Sequence, residues 1–533
     1  MADISKLPQL EQYNIIAKYD INTAKHFAAF LGSYIFLFVI FRFAYLLVHY
    51  YGKRFQSFTQ FLTFPTRLAR RVLLRKIPKF VSGGHALTIL VYILVNIVLT
   101  FTYKPPLPFI NHRNSFAKRL GWMTLLNMTT TVVLSIKNNP VAILTGYSHE
   151  RLNVLHRASG WCTLIFWMLH WTIYTGSLFT QGQAYPTLLQ IEQIHGYIAG
   201  GGLFVMCMFA IQPIRQRFYE LFVKTHMIGF LLVIINVGLH KPDLVRKAVW
   251  IVVFIGASFF LSRLVRFLVL VYNSWGNRAI LMPLNGATKV VFKKTLRAKP
   301  GDHIFITIPK VRTFEAHPFT ISDTTYTQLR IRNRDGFTAA LHEYAQQHPG
   351  KEVSVLIDGP FGNTPDFHSY DKVLLVAGGV GATFSFAIAL DIVRRKQWND
   401  NQIIELAWII QSEEHMEWFK DELEEIQASP HINLTVFVTR PGRHEAILEK
   451  VFDNGDAPRH MSYNHFPTIR KEEGRPDIKA TVDDLISTAN KTDRIIVSCC
   501  GPKMLMQEVR NTVAKSIPIS GPSVTLQNEQ FGW

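Results

Sequence analysis

Residues 152–176 read LNVLHRASGWCTLIFWMLHWTIYTG, an apolar and aromatic run in which His156 and His170 stand fourteen residues apart. About 20 such residues are what a helix needs to cross a bilayer, and ionisable side chains inside such a helix are rare and usually functional. A second apolar run, 218–240, carries His226 and His240 at the same interval. At about 100° per residue, fourteen steps end some 40° short of four full turns, so each pair shares a helix face and is separated by about 21 Å. Two such helices facing each other present an imidazole pair at each of two depths, a donor set for two haems with two axial histidines each. Zinc fits poorly, because ligands about 21 Å apart on one helix cannot share an ion. His195 opens another apolar run without a partner fourteen residues away and reads as a polar interfacial residue.

Further apolar runs lie at 24–48, 86–103, 120–136, 193–212 and 248–270, giving seven expected spans; the third is interrupted by Asn127 and several threonines. Residues 1–23 form a polar tail, and the first run is too long for a signal-peptide core. The loop after the first span holds Lys53, Arg54, Arg67, Arg70, Arg71, Arg75, Lys76 and Lys79, whereas 178–192 has no Lys or Arg. Basic loops stay in the cytosol, so this loop and the C-terminal half are placed there, with the tail opposite. Lys104, Arg113, Lys118 and Arg119 fall on the far side and run against this rule. The net charge of +19 therefore has a topological origin, and with no recognised binding motif it does not indicate nucleic acid. Hydrophobic residues at 48% and a mean hydropathy of +0.12 exclude a disordered chain. Four cysteines, none in a CxxC pair, exclude a disulfide scaffold and a cysteine zinc site.

Beyond about Asn277 the pattern shortens. Runs at 279–283, 290–292, 303–308, 328–332 and 353–357 read as strands of a small antiparallel barrel. After Tyr370 the order becomes strand, glycine turn, helix: 372–377, then Gly378-Gly379-Val380-Gly381, then 382–396. Strands at 403–410, 433–438 and 494–498 complete an open parallel α/β sheet, with 440–480 as an irregular insertion. The expected domains are a tail (1–23), a membrane domain (24–272), a barrel (273–369) and an α/β domain (370–533). Glycines before a helix let the backbone approach a pyrophosphate, while the helix N-terminus supplies free N–H groups. Gly336-Phe337-Thr338 is a second, similar anion site.

Taken in order, His317-Pro318-Phe319-Thr320 with Ser322, Asp358-Gly359-Pro360-Phe361-Gly362, Gly378 to Thr383, Cys500-Gly501-Pro502 and the terminal Phe531 and Trp533 resemble the ferric reductases and NADPH oxidases. The short N-terminal portion is similar to the budding-yeast group of probable metalloreductases and endoplasmic-reticulum NADPH oxidases. The resemblance implies a multi-span helical haem domain followed by a ferredoxin-reductase-like module, with an FAD barrel and an NAD(P)-binding α/β domain. It assigns His317, Pro318, Phe319, Thr320 and Ser322 to the flavin and ribityl chain, and Gly336 and Thr338 to the flavin pyrophosphate. Gly378, Gly379, Gly381 and Thr383 match the dinucleotide loop; Cys500, as catalytic residue, with Gly501 and Pro502 lies near the nicotinamide. Phe531, with Trp533 second, covers the flavin ring. His156, His170, His226 and His240 match the ligands of two b-type haems.

The implied activity is electron transfer from cytosolic NADPH, with NADH as the alternative donor, through FAD and haem to an acceptor across the membrane. Ferric or cupric chelates are the preferred acceptors, which would place the chain in iron or copper homeostasis; dioxygen, giving superoxide, is the alternative. The intact flavin and glycine motifs argue against a non-catalytic cytochrome subunit. The implied location is the endoplasmic reticulum or the plasma membrane. Two positions depart from the family. Phe384 replaces a common proline, and Gln411 stands where relatives place an arginine for the 2′-phosphate of NADPH, a role Arg440 could take over.

Overall fold

The computed structural model describes residues 9–51, 66–77, 80, 82–102, 112–137, 140–240, 246–395, 402–440 and 469–529. They fall into two compact units, Met1–Tyr50 with His85–Val265, and Tyr51–Gly84 with Arg266–Gly532.

The first unit is built from long helices at the expected spans: α1 (Gln9–Tyr51), α2 (Gly83–Phe101), α3 (His112–Ser135), α4 (His149–Thr180), α5 (Ile191–Ala210), α6 (Tyr219–Leu239) and α7 (Arg246–Ser274). Five of these, α1, α2, α5, α6 and α7, are long and apolar enough to cross a membrane, and their exposed surface is rich in Phe, Leu and Ile. The other two, α3 and α4, have the length but more polar residues. Those residues point inward. Asn127, fully buried, accepts from the Tyr92 hydroxyl at 2.5 Å and donates to Asn96 Oδ1 at 2.6 Å, while Thr131 Oγ1 donates to Ser159 Oγ at 2.8 Å. Hydrocarbon offers no hydrogen bonds, so polar side chains inside it must find partners on neighbouring helices. The same logic governs Arg119, one of the cations that the sequence reading set against the charge rule. It is buried, donating to Asp20 Oδ1 at 2.5 Å and to Thr102 O at 2.9 Å, so it ties α1 to α3 and to the end of α2.

The second unit contains two sheets. The first is antiparallel, in the order β6-β1-β2-β5-β4-β3-β7, from β1 (Arg278–Leu284), β2 (Ala287–Phe292), β3 (His303–Thr307), β4 (His317–Asp323), β5 (Gln328–Arg332), β6 (Glu352–Ser354) and β7 (Leu356–Phe361), with α8 (Gly336–Gln347) after β5. The second is parallel over its whole width, in the order β11-β10-β9-β8-β12-β13. Its strands are β8 (Lys372–Gly378), β9 (Ile403–Ile410), β10 (Ile432–Val438), β11 (Arg470–Glu473), β12 (Arg494–Cys500) and β13 (Ser523–Glu529). The accompanying helices are α9 (Ala382–Arg395), α10 (Lys420–Gln427), α11 (Ile478–Ser487) and α12 (Lys503–Ser516). β8 is buried at all seven positions, as a central parallel strand covered on both faces must be.

The sequence missed β4 as a strand, because Pro318 interrupts its pattern, and it merged β6 with the start of β7. It also read 440–480 as irregular, whereas Arg470–Glu473 pairs in parallel with β10 and α11 begins at Ile478. β11 is an edge strand of charged residues, so it has no apolar alternation to detect. Residues 51–84, assigned by sequence to the membrane part, cluster with the second unit. Their helical portion, 66–74, lies on the α12–β13 connection. Arg67 donates to Ile519 O at 3.0 Å and Gly521 O at 2.8 Å, Arg71 to Ile517 O at 2.7 Å, and Leu74 joins the core under α11 and α12. These arginines thus hold a protein surface. Replacing Arg67 and Arg71 together by Lys keeps the charge but loses the planar fork. The double variant should lower the stability of the second unit by ~2 kcal/mol, about 4–8 °C in Tm; an unchanged thermal midpoint in detergent would contradict the docking.

Candidate functional site

His156 and His170 lie on α4, His226 lies on α6, and His240 caps the C-terminus of α6. His156 Nδ1 donates to Thr131 O at 2.8 Å, His170 Nδ1 to Ala117 O at 2.6 Å, and His240 Nδ1 to Glu192 O at 2.7 Å. A carbonyl can only accept, so Nδ1 carries a proton in each of these rings, and a ring with that one proton keeps its lone pair at Nε2. This is how a metal-binding histidine is held by its surroundings. Ala117 and Thr131 are themselves fourteen residues apart, so α3 repeats the period of α4. His226 Nδ1 is buried without a hydrogen-bond partner. The His156 and His226 ring centroids are 6.3 Å apart, a gap that two metal–nitrogen bonds of about 2 Å and the radii of two five-membered rings would fill.

His170 and His240 line a cavity of about 120 Å³, together with Trp167, Tyr174 and Tyr197. Glycines make room for it. A Cβ on Gly196 would stand 2.7 Å from His240 Nδ1, one on Gly121 would stand 3.2 Å from the His170 ring, and one on Gly200 would strike the Trp167 indole at 1.9 Å. His195 is half-buried and hydrogen-bonds through Nδ1 to Asn236 Oδ1 on α6 at 2.8 Å, so it bridges α5 and α6.

In the second unit, the structure brings together the two segments assigned to the flavin. His317 stacks on Phe337 of α8 with centroids 4.7 Å apart, and Phe319 lies 6.2 Å from the same ring. Pro318 sits between them on β4, and Thr320 follows, buried. Ser322 is fully buried and donates to Gln328 O at 3.0 Å, so its hydroxyl is engaged inside the sheet. Gly336 opens α8 at φ +54°, and Thr338 Oγ1 donates to Asp335 O at 3.0 Å. Arg332, just ahead of this helix start, has its pKa lowered by burial and by the charge of Arg334. Two neighbouring cations and a free helix N-terminus suit a pyrophosphate. Asp358 and Gly359 face α7 instead: Asp358 pairs with Arg266, and Gly359 O accepts from Asn273 at 2.6 Å.

The glycine loop and the Cys500-Gly501-Pro502 motif meet backbone to backbone at the C-terminal ends of β8 and β12. A Cβ on Gly378 would lie 2.5 Å from Pro502 Cδ, one on Gly381 2.4 Å from Cys500 O, and one on Gly501 3.0 Å from Gly378. Gly379, at φ +57°, turns its carbonyl to Trp408 Nε1 at 3.0 Å. Thr383 Oγ1 donates back to Val380 O at 2.9 Å. Phe384 is fully buried against Gly301, where a Cβ would come within 2.6 Å of its ring. The aromatic that replaces the usual proline therefore packs α9 onto a barrel loop. Phe531 and Trp533 lie outside the described residues.

Family comparisons agree with this architecture. The ferric reductase like transmembrane component matches residues 120–237, an FAD-binding domain matches 285–365, and the ferric reductase NAD binding domain matches 370–514. Together they cover well over half of the chain. It belongs to the ferric reductase family. A probable cell surface ferric reductase of Aspergillus oryzae is 27% identical over 58% of this chain, which spans 45% of that protein. Ferric reductase transmembrane component 1 of Schizosaccharomyces pombe is 26% identical over 76% of this chain and 78% of its own length. Ferric/cupric reductase transmembrane component 2 of the same yeast is 23% identical over 75% of this chain and 78% of its own length. The chain is thus a membrane oxidoreductase with FAD- and NAD-binding domains.

Two features escaped the sequence reading. Glu529 pairs in register with Cys500 and is buried beside it. Arg475 follows β11, where Gly474 N donates to Val438 O at 2.8 Å, and Arg440 N donates to Gln411 O at 3.1 Å. Gln411, Arg440 and Arg475 are therefore exposed at the ends of three adjacent strands, and Arg475 was hidden by the unrecognised β11. Burial, then the nearby Cys499 and Glu529, push the Cys500 thiol well above its ordinary range, and burial takes Cys499 up to about 12. Cys500 is then a neutral thiol at physiological pH, suited to packing and weak hydrogen bonding rather than nucleophilic attack. Iodoacetamide should leave it unmodified in the native reductase from pH 7 to 9 and label it after denaturation; labelling of the native protein that follows an ordinary thiol titration would contradict this.

Proposed function

We propose that this ferric reductase takes electrons from NADPH at its second unit and delivers them across the membrane to ferric or cupric ions, with FAD and two haems as resident cofactors. The reading is carried by the two histidine levels, at which the Nδ1–H groups of His156, His170 and His240 are anchored to backbone carbonyls. When bound, FAD supplies a two-electron hydride acceptor and haem a one-electron carrier. His156 and His226 would hold the inner haem, and His170 and His240 the outer one. Thr131, Ala117 and Glu192 fix the tautomers through their carbonyls. His317 to Thr320 line the flavin ring, and the start of α8 meets its pyrophosphate. Gly378 to Thr383 and Gly501-Pro502 admit the dinucleotide where a side chain would collide. The protein itself contributes binding, orientation and the exclusion of water.

The loop after α1 clusters with the second unit, which supports placing both on the cytosolic side. The cell-surface name of the Aspergillus relative favours the plasma membrane over the endoplasmic reticulum. Full-length protein in nanodiscs should hold two haems and one FAD per chain, and reduce ferric and cupric chelates with NADPH. His170→Ala should leave one haem. NADPH oxidation that yields superoxide and reduces neither metal would overturn the metal assignment.

Arg440 and Arg475 would together read the 2′-phosphate in place of an arginine at Gln411. Replacing both by Ala should raise KM for NADPH by about 10–100-fold, the weight of one or two charge-assisted hydrogen bonds, and leave KM for NADH unchanged. Equal loss for both donors would show that these arginines do not select the phosphate.

A further inference from the structure

One guanidinium joins the far ends of the two elements whose near ends form the flavin and dinucleotide sites. Arg394, in the last turn of α9, donates from Nε and Nη2 to the two oxygens of Glu425, both at 2.7 Å. Its Nη1 and Nη2 also reach the two oxygens of Asp323 at 2.8 and 3.1 Å. Asp323 ends β4, which begins at His317; α9 begins directly after Gly379–Gly381. Near the start of α9, Phe384 lies against Gly301, and the adjacent Asp302 O accepts from Ile321 N of β4 at 2.9 Å. The strand and the helix are therefore held to each other at two separated points, one apolar and one ionic. Bidentate arginine–carboxylate pairs fix geometry as well as adding energy. Burial alone would raise the Asp323 carboxyl, but the bonds from Arg394 and the Thr325 amide hold it below its ordinary range. Arg394 is raised in turn by Glu425, against its burial, and by Asp323. The ion pair thus favours the charged form of both Arg394 and Asp323.

We infer that Arg394 is a positioning residue for hydride transfer: by pinning the end of β4 to the end of α9, it sets the gap between the flavin and nicotinamide sites. The inference rests on the reading that β4 carries the flavin and that residues 378–383 carry the dinucleotide. Hydride transfer requires reacting atoms about 3–3.5 Å apart, and a displacement of 1 Å can cost about 100-fold.

The test uses the full chain in nanodiscs, with wild type, Arg394→Ala, Arg394→Lys, Asp323→Asn and the double variant Arg394→Ala/Asp323→Asn. FAD stoichiometry and the dissociation constant for NADP⁺ should match wild type in every variant. Flavin reduction by NADPH in single-turnover mixing should fall about 10–100-fold in Arg394→Ala and recover in part in Arg394→Lys. The double variant should be no slower than the slower single variant, because both replacements break the same tie. The long-wavelength absorbance from contact between nicotinamide and flavin should weaken in parallel. Flavin reduction at the wild-type rate in Arg394→Ala would overturn the inference, as would a rate loss that only follows loss of FAD. Wild-type protein that takes up no FAD would overturn the functional reading itself.

Discussion

Three imidazole N–H groups inside the helical unit donate to backbone carbonyls of an adjacent helix, and the arrangement of that unit depends on those bonds. In hydrocarbon a ring N–H without a partner is costly, and a carbonyl already engaged in its own helix can still accept a second hydrogen bond through its remaining lone pair. Each bond therefore fixes a rotamer, a tautomer and the register of two helices together. Close approach follows from it: Gly121 lets α3 lie against His170, and Gly196 and Gly200 let α5 lie against His240 and Trp167. The polar ladder of Tyr92, Asn127 and Asn96 serves the same end, holding α2 to α3 through side-chain hydrogen bonds.

The soluble unit relies on a different constraint, contact between two stretches of main chain. Gly378 and Gly501 pass within van der Waals reach of each other, and Gly381 lies over the Cys500 carbonyl. Any side chain there would push β8 away from β12 and close the sheet edge where parallel α/β folds bind nucleotides. Around this edge the barrel is fastened to the sheet by the buried pair of Arg330 and Glu422, 2.6 Å apart, and by Trp418, whose indole donates to Asn285 O at 2.6 Å. Within the same unit, residues 266–274 at the end of α7 are fastened to the barrel through Arg266 and Asn273 on the Asp358-Gly359 turn. A motif recognised by resemblance alone thus has a mechanical explanation.

Much of this was legible in the chain. Long apolar runs and a repeated histidine interval are local periodic signals, and the seven long helices fall where they predicted. The glycine turn before α9 was legible because strand, turn and helix follow one another within a few residues. What stayed hidden depends on residues distant in sequence. β4 carries a proline and gains its place only through β3 and β5. β11 is charged because it lies at an edge, and Arg475 was obscured with it. The arginines at 67 and 71 read as topology markers because their acceptors are main-chain carbonyls hundreds of positions away. His195 looked interfacial because its partner, Asn236, sits on another helix. Phe384 looked like a departure in loop stiffness, and its reason lies in a barrel loop that no local pattern connects to it.

The carbonyls of Ala117 and Thr131 are counted off by the same pitch as the rings they receive. Helix α3 is in that sense a ruler laid beside α4. Removing one residue between the two marks would turn one end by about 100° relative to the other. One imidazole or the other would then lose its acceptor, whichever end kept its alignment. The length of this stretch is therefore fixed more tightly than its composition, and drift at its outward positions costs far less than a single insertion or deletion.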